Sequence, residues 1–308
     1  MALFTRLLSG LGLFLASLLV GAWCGRQGWL PEPRAGRLIR LIVKRLSPAV
    51  LCLSFWGLEG LRWELSVLPL IGFAVSLAAL VPAWLYTRAA RLSRPRAGSF
   101  LTCAAFSNVG FFGALIVFAL YGEAAYSLAM IHMLYFSPAF YAVGFTLAKR
   151  YGHASSGPAG TSFSDELRLY PLAGLILGCA LNLAHVPRPV ALGALNHVLI
   201  PLDTAVYIIA IGSQVRWEPA VPWLGPALAM SAIKFLYSPL VAWGLVAWLG
   251  VTGLPRVVVL VQSSLPVAVS PLMLPLLFGL DKRLSNALWI VTTVVAIPWM
   301  LVYLPLIR

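Results

Sequence analysis

The sequence predicts an all-helical integral membrane protein. Of its 308 residues, 61% are hydrophobic and 10% are charged, and the mean hydropathy is +0.92. In a typical soluble domain about a quarter of the residues are charged. The hydrophobic residues also form runs that suit a bilayer core of about 30 Å, which a helix crosses in roughly 20 residues. A soluble enzyme is therefore not expected, and the net charge of +13 is attributed to membrane topology and not to nucleic-acid binding.

Ten segments are predicted to cross the membrane, because a helix satisfies every backbone polar group in lipid. They are Leu7–Cys24, Arg37–Leu58, Leu65–Tyr86, Ser99–Leu120, Ala124–Ala148, Leu167–Ala184, Val190–Gln214, Val221–Trp248, Val257–Leu280 and Leu284–Leu306. The second is the weakest, since its first turns carry Arg37, Arg40, Lys44 and Arg45. These charges are expected to contact anionic lipid headgroups or to line a wet cavity.

The basic residues predict the orientation. Sixteen of the 22 Lys and Arg residues lie in connections that follow odd-numbered segments, and five lie on the other side. Because basic loops tend to stay in the cytoplasm, both termini are expected outside it. The expected location is the plasma membrane, which in a bacterium is the inner membrane.

The chain is expected to consist of two halves of five segments each. Residues 1–150 and 166–308 would form the halves, and residues 151–165 a cytoplasmic linker rich in Gly and Ser. An odd number of helices in each half places the second half upside down, as a 5+5 inverted repeat.

The fourth and ninth segments are interrupted near their middle. The interrupting residues are Ser107, Asn108, Gly110 and Gly113 in the fourth segment, and Gln262, Ser263, Ser264, Pro266, Ser270, Pro271 and Pro275 in the ninth. Glycine weakens a helix and proline removes a backbone donor. Interrupted helices at corresponding positions of two halves indicate a substrate site at the bilayer midplane. The alternative is that both helices are merely kinked by packing.

Two charged residues lie near the middle of a span, Asp203 in the seventh segment and Lys234 in the eighth. An isolated charge there costs about 2.5 to 3.5 kcal/mol on insertion scales, so both are expected to have partners or to contact water. The simplest arrangement is an Asp203–Lys234 pair that locks the two helices. Alternatively, Asp203 takes up and releases a proton, or Lys234 contacts an anionic substrate. His132 and His197 are weaker candidates for a proton role.

Other function classes lack their usual signals. The spans contain no paired carboxylates, no Ser/His/Asp set and no His or Cys residues at metal-ligand spacing, so neither an enzyme nor a cofactor is expected. Nor do the four cysteines follow a disulfide pattern. A sensor or scaffold would need an output domain, which the sequence does not indicate.

At the interrupted segments the sequence resembles the auxin efflux carrier family, within the bile acid, auxin and arsenite transporter superfamily. The stretch SNVGFFGALIVFALYGEAA, residues 107–125, is similar to the helix-4 signature of that family. SSLPVAVSPLMLPLLFGLD, residues 263–281, is similar to its helix-9 segment, and residues 25–51 resemble its first cytoplasmic loop and second helix.

The resemblance implies a ten-helix homodimeric carrier in which helices 4 and 9 cross at the bilayer midplane. It also implies elevator-type transport of small organic anions such as auxin or a dicarboxylate like malonate. Asn108 and Pro266 would lie at the crossover. The substrate would then contact the set Ser107, Asn108, Gly110, Gly113, Ser264, Pro266 and Ser270.

At two positions the chain departs from the family pattern, so the substrates of the family cannot simply be assigned to this chain. Leu115 occupies a place where the family usually has Pro, and Ser270 one where it often has Asn. The crossover is therefore expected to be asymmetric. Coupling to protons stays open. So does a sodium-coupled symporter of the bile-acid type, in which Asn108, Gln262 and Ser263 would supply the oxygen ligands of Na⁺.

Overall fold

The computed structural model of the chain describes residues 2–60, 62–153, 162–215 and 221–307. Over these ranges the secondary structure consists of helices and one isolated antiparallel bridge, between Ser107 and Val267. Most of the predicted linker, residues 154–161, lies outside the described residues, as does Arg216 of the predicted cytoplasmic charges.

We number the helices of the described ranges in chain order. They are α1 (Ala2–Arg26), α2 (32–56), α3 (Glu64–Ala89), α4 (Arg94–Ala105), α5 (Val109–Tyr121), α6 (Glu123–Tyr151), α7 (Ser162–Leu183), α8 (Val190–Gly212), α9 (Val221–Trp248), α10 (Gly253–Ser263), α11 (270–278) and α12 (Lys282–Leu306).

Each of the ten predicted segments coincides with helix. The fourth is divided into α4 and α5 and the ninth into α10 and α11, so both predicted interruptions are confirmed. Six helices of the described residues are long and apolar enough to cross a membrane: α1, α3, α6, α8, α9 and α12. Division leaves α5 and α10 short, and arginines lower the hydropathy of α2. The protein is thus a multi-pass helical membrane protein, and ten spans in a 5+5 repeat remain a prediction.

The chain separates into two compact units, each built from three stretches of sequence. Unit 1 comprises Met1–Trp63, Ala114–Ser127 and Gly160–Arg216, and unit 2 comprises Glu64–Gly113, Leu128–Ala159 and Trp217–Arg308. Neither unit is one of the predicted halves, because each draws helices from both. The repeat boundaries at residues 150 and 166 stay a prediction.

Glycines allow the helices of unit 1 to pack closely. A methyl group on Gly21 would overlap the Ile209 carbonyl, so α1 and α8 touch along their backbones. Likewise, a methyl group on Gly178 would overlap the Cys52 carbonyl of α2. Small residues spaced four apart permit this approach in membrane helices, and the pairs Gly21–Gly25 and Gly174–Gly178 have this spacing.

Four helices contain a π-helical turn, which accommodates one residue more than an α-turn. These turns are Ile42–Leu46 in α2, Val109–Gly113 in α5, Phe140–Phe145 in α6 and Ile233–Tyr237 in α9. Such turns are frequent at functional sites. Three of them lie close to polar residues that were predicted to be functional. The turn in α5 follows Asn108, and the turn in α9 contains Lys234. The turn in α2 is followed by Ser47, which hydrogen-bonds to Asp203.

Candidate functional site: a crossing of two interrupted helices

The two interruptions meet inside unit 2 and pair through their main chains. The Asn108 amide N donates to the Pro266 carbonyl at 2.9 Å, and the Ala268 amide N donates to the Phe106 carbonyl at 3.0 Å. Between these bonds, Ser107 and Val267 form the antiparallel bridge. An unwound backbone is tolerated at membrane depth only where its polar groups are satisfied. Each interruption therefore supplies the partners that the other has lost from its helix.

Side chains of α12 support the crossing in the same unit. The Val267 amide N donates to Thr292 Oγ1 at 3.1 Å. Ser264 Oγ accepts a hydrogen bond of 2.6 Å from Trp299 Nε1. Thr292 and Trp299 were not predicted from the sequence, since isolated polar atoms in an apolar helix give no local signal.

Two amide side chains at the crossing keep an unpaired polar atom. Among the described residues, Asn108 Nδ2 and Gln262 Oε1 have no hydrogen-bond partner, although the side chains are only 4% and 1% exposed. Their other amide atoms are used: Asn108 Oδ1 accepts from the Phe112 amide N at 3.4 Å, and Gln262 Nε2 donates to the Val109 carbonyl at 3.2 Å. Leaving a buried polar atom unpaired costs about 1–3 kcal/mol. A ligand that pairs these atoms would recover part of that cost.

Gly113 makes room for the Gln262 amide. A Cβ atom at this position would overlap Gln262 Oε1 and also meet Leu265 Cδ1. At Gly110 a Cβ atom would lie 2.9 Å from Met133 Sδ, the flexible end of a methionine side chain. A side chain at residue 113 is therefore excluded more strictly than one at residue 110.

Lys234 lies beside the crossing in the π-turn of α9. Its Nζ donates to the Ala104 carbonyl at 2.7 Å and to Ser107 Oγ at 2.9 Å, and the residue is 1% exposed. Ala104 is in the last turn of α4, where carbonyls lack intrahelical partners and the helix dipole favours a cation. The next carbonyl, of Ala105, accepts from the Ser76 hydroxyl. Because α4 ends here, the Ala104 carbonyl has no intrahelical partner and is available to the ammonium group.

A small cavity adjoins these residues. Its volume is about 10 Å³, roughly the space for one water molecule. Ser107, Gln262 and Ser263 line it, together with Ser76 and His132. His132 is 2% exposed and, among the described residues, its Nδ1 has no hydrogen-bond partner. The cavity brings predicted site residues together with His132, which the sequence ranked as a weaker candidate.

The remaining predicted site residues have separate surroundings. Ser263 Oγ donates to the Leu260 carbonyl within its own helix at 2.8 Å. Pro266 is buried and provides its carbonyl to the crossing. Ser270 begins α11 and is half-buried. No group of three or more His, Cys, Asp or Glu residues in the described ranges could hold a metal ion.

Asp203 has its own partner, within unit 1. Ser47 Oγ donates to Asp203 Oδ1 at 2.8 Å, and Asp203 is 5% exposed. Ser47 follows directly on the π-turn of α2. Since Asp203 and Lys234 belong to different units, the pairing expected between them stays a prediction.

A second, partly buried polar network in unit 1 was not predicted from the sequence. Arg188 contacts both carboxylate oxygens of Glu123, at 2.5 and 3.1 Å, and donates to the Leu53 carbonyl at 2.8 Å. Asn196 Nδ2 donates to Glu123 Oε1 at 2.7 Å and to Ser54 Oγ at 2.8 Å. Glu123 opens α6 within the stretch that carries the family resemblance. This position was the signal that could have identified the network.

Comparison with known proteins supports a transport function. Residues 162–304 match a family model described as "Membrane transport protein", which confirms the resemblance to the auxin efflux carrier family. An uncharacterized transporter of Methanothermobacter thermautotrophicus is 25% identical over 297 residues, covering 95% of this chain and 94% of that protein. An uncharacterized transporter of Methanocaldococcus jannaschii is 24% identical over 290 residues, covering 91% and 92%.

Proposed function

We propose that this chain, which resembles the auxin efflux carrier family of membrane transport proteins, is a secondary active carrier for a small organic anion. The observation that carries the proposal is the crossing of two interrupted helices in unit 2 with the unpaired, buried amide of Asn108 beside it. An unpaired buried donor destabilises a helix that is merely kinked by packing, whereas in a binding site the donor is available to the ligand.

The chemistry of the crossing suits a carboxylate. Asn108 Nδ2 is a hydrogen-bond donor without a partner among the described residues. Residues 109–113 form the first turn of α5, and the start of a helix presents amide N–H groups and positive dipole charge, which favour an anion. The proposed contacts are those predicted from the sequence: Ser107, Asn108, Gly110, Gly113, Ser264, Pro266 and Ser270. Auxin-like carboxylates and short dicarboxylates such as malonate are the substrates to test first.

The transport cycle that we propose is of the elevator type. Unit 2 would carry the bound anion while unit 1 remains fixed in the bilayer, and the division of the chain into two compact units supports this assignment. Ten spans in an inverted repeat, both termini outside the cytoplasm, a location in the plasma membrane and a homodimer are parts of the same proposal.

Proton coupling is proposed to depend on Asp203, since it is a buried carboxylate whose hydrogen-bond partner in the described residues is the Ser47 hydroxyl. The second candidate function is a sodium-coupled symporter of the bile-acid type. It is favoured by one observation, the unpaired Gln262 Oε1, which is an oxygen available to a cation.

The test is the transient current of purified protein in liposomes on a solid support. The protein is challenged with malonate, other short dicarboxylates and indole-3-acetate, each with and without Na⁺. Uptake of radiolabelled malonate is measured in parallel, so that electroneutral exchange is also detected. We expect a response of the wild type to at least one anion.

Asn108→Ala should lower that response by about tenfold or more, because a hydrogen bond to a charged group is lost. Gln27→Ala is the matched control: it removes an exposed amide from the turn after α1 and should leave transport unchanged. Equal transport by Asn108→Ala and wild type would refute the assigned site. Dependence on Na⁺ would favour the bile-acid-type symporter.

A further inference from the structure

Lys234 has no carboxylate partner in the described part of unit 2. The described part of that unit contains two side-chain carboxylates, Glu64 and Asp281. Glu64 is exposed at the start of α3, whereas Asp281 accepts from Arg96 Nε at 3.2 Å and caps α12 through the Leu284 amide N at 2.9 Å. The contacts of Lys234 are two neutral oxygens. A buried ammonium group in the bilayer is expensive without a counter-charge.

The ammonium group also keeps a donor for a ligand. A lysine ammonium has three N–H donors, and in the described structure the Ala104 carbonyl and Ser107 Oγ use two of them. Ser107 pairs with Val267 in the crossing, and the next residue is Asn108 with its unpaired Nδ2. A carboxylate at the crossing could therefore meet two kinds of donor, one charged and one neutral.

The same contacts disfavour a sodium ion at this place. Na⁺ is a hard cation that needs several oxygen ligands, as Ca²⁺ does. The ammonium of Lys234 already occupies the Ala104 carbonyl and Ser107 Oγ, and its positive charge would repel a second cation nearby.

We propose that Lys234 supplies the counter-charge of the transported anion, in place of a pairing with Asp203, and stands in place of a coupling sodium ion. The inference rests on the proposed function, since it concerns the ligand of the same crossing. An anion paired with the ammonium group carries one negative charge less than the free anion, so that a monocarboxylate is neutralised and malonate keeps one charge. The loaded pair therefore crosses the apolar environment at lower cost than the anion alone.

The test measures uptake of radiolabelled malonate into proteoliposomes as a function of malonate concentration, in sodium and in choline buffers. Lys234→Gln removes the charge and keeps a polar side chain. The matched control is Lys282→Gln, which removes the same charge from an exposed position at the start of α12 in the same unit. Thermal melting of each purified protein, with and without malonate, reports folding and binding separately from transport.

We expect Lys234→Gln to raise the KM for malonate by about tenfold or more and to lose the malonate-induced rise in melting temperature, because a charge-assisted hydrogen bond is lost. Lys282→Gln should behave as wild type, and wild-type uptake should be equal in sodium and choline. An unchanged KM in a well-folded Lys234→Gln protein would overturn the inference.

A sodium requirement of the wild type would overturn it as well. This arm needs no variant and remains decisive if Lys234→Gln fails to fold. A wild type that transports no anion of the panel contradicts the proposed function itself. If instead the wild type transports an anion and Lys234→Gln is unimpaired, the inference about Lys234 is refuted but the proposed function is not.

Discussion

Asp203 accepts a hydrogen bond from Ser47 in unit 1, and an asparagine in its place could still accept that bond. Asp203→Asn therefore removes the ionisable group with little change in shape. We expect this variant to express normally and to lose any dependence of transport on a proton gradient. The measurement is malonate uptake into proteoliposomes with and without an imposed pH difference.

Glu59→Gln is the control for Asp203→Asn, because it neutralises an exposed carboxylate after α2 in the same unit. It should keep the wild-type dependence on the pH difference. If Asp203→Asn keeps that dependence too, Asp203 has a structural role and protons are coupled elsewhere or not at all.

Residue types predict where the helices break, but not which side chains meet. Asn108 and Pro266 stand out in the sequence because each disrupts an apolar run. Thr292 does not, since one hydroxyl in an apolar helix is usually satisfied by its own backbone, and Thr292 Oγ1 does donate to the Leu288 carbonyl at 2.7 Å. Arg188 and Glu123 are 65 residues apart, and no spacing rule connects residues over such a distance.

The contact between α1 and α8 depends on the absence of side chains at the interface. Gly21→Leu should lower the melting temperature of the detergent-solubilised protein, because the new side chain overlaps the Ile209 carbonyl of α8. Overpacking typically costs about 1–3 kcal/mol. Thermal unfolding followed by size-exclusion fluorescence measures the loss.

Gly12→Leu provides the control on the same helix. Gly12 is exposed, and a Cβ atom there meets nothing within 4 Å. This variant should be as stable as wild type or slightly more stable, since leucine favours helix over glycine. Equal destabilisation by both substitutions would show that the α1 helix itself, and not its contact with α8, is sensitive.

Helix positions follow from composition, but π-turns do not. Apolar runs of suitable length predicted helix at all ten segments, and Pro and Gly marked the two divisions. The turn Ile233–Tyr237, which holds Lys234, has the composition of ordinary helix. An extra residue per turn is stabilised by tertiary contacts that a local pattern does not encode.

Orientation is a property of the whole chain and can be tested with single cysteines. In a protein with Cys24, Cys52, Cys103 and Cys179 replaced, Glu59→Cys should react with a membrane-impermeant maleimide from outside intact cells. Gln27→Cys should react only after the membrane is permeabilised, because basic loops stay in the cytoplasm. Both residues are exposed in the structure.

The reverse labelling pattern would place the termini in the cytoplasm. Labelling of both sites in intact cells would indicate that the basic connection after α1 crosses the membrane or that the cells are leaky. A maleimide-reactive cytosolic protein serves as the check on leakage.

The order of hydrophobic runs along the sequence indicates two halves, whereas packing groups the chain into two units that each combine stretches from both halves. Unit 1 combines the first two helices with α7, α8 and a stretch at residues 114–127. Hydrophobicity specifies that a helix is buried in lipid or protein but not which neighbour it packs against. Specific contacts such as Gly21 with Ile209 decide that, and they join residues far apart in the chain.

The crossing is joined by main-chain groups, through the bonds of Asn108 N with Pro266 O and Ala268 N with Phe106 O. Its geometry therefore depends little on which side chains residues 107 and 267 carry. If the crossing binds substrate as proposed, substitutions there would change which substrate is bound while the main-chain bonds of the crossing are kept. Under the proposed function, such a crossing would allow new substrates to be acquired during evolution or in directed selection, and residue 107 is where a library of variants should start.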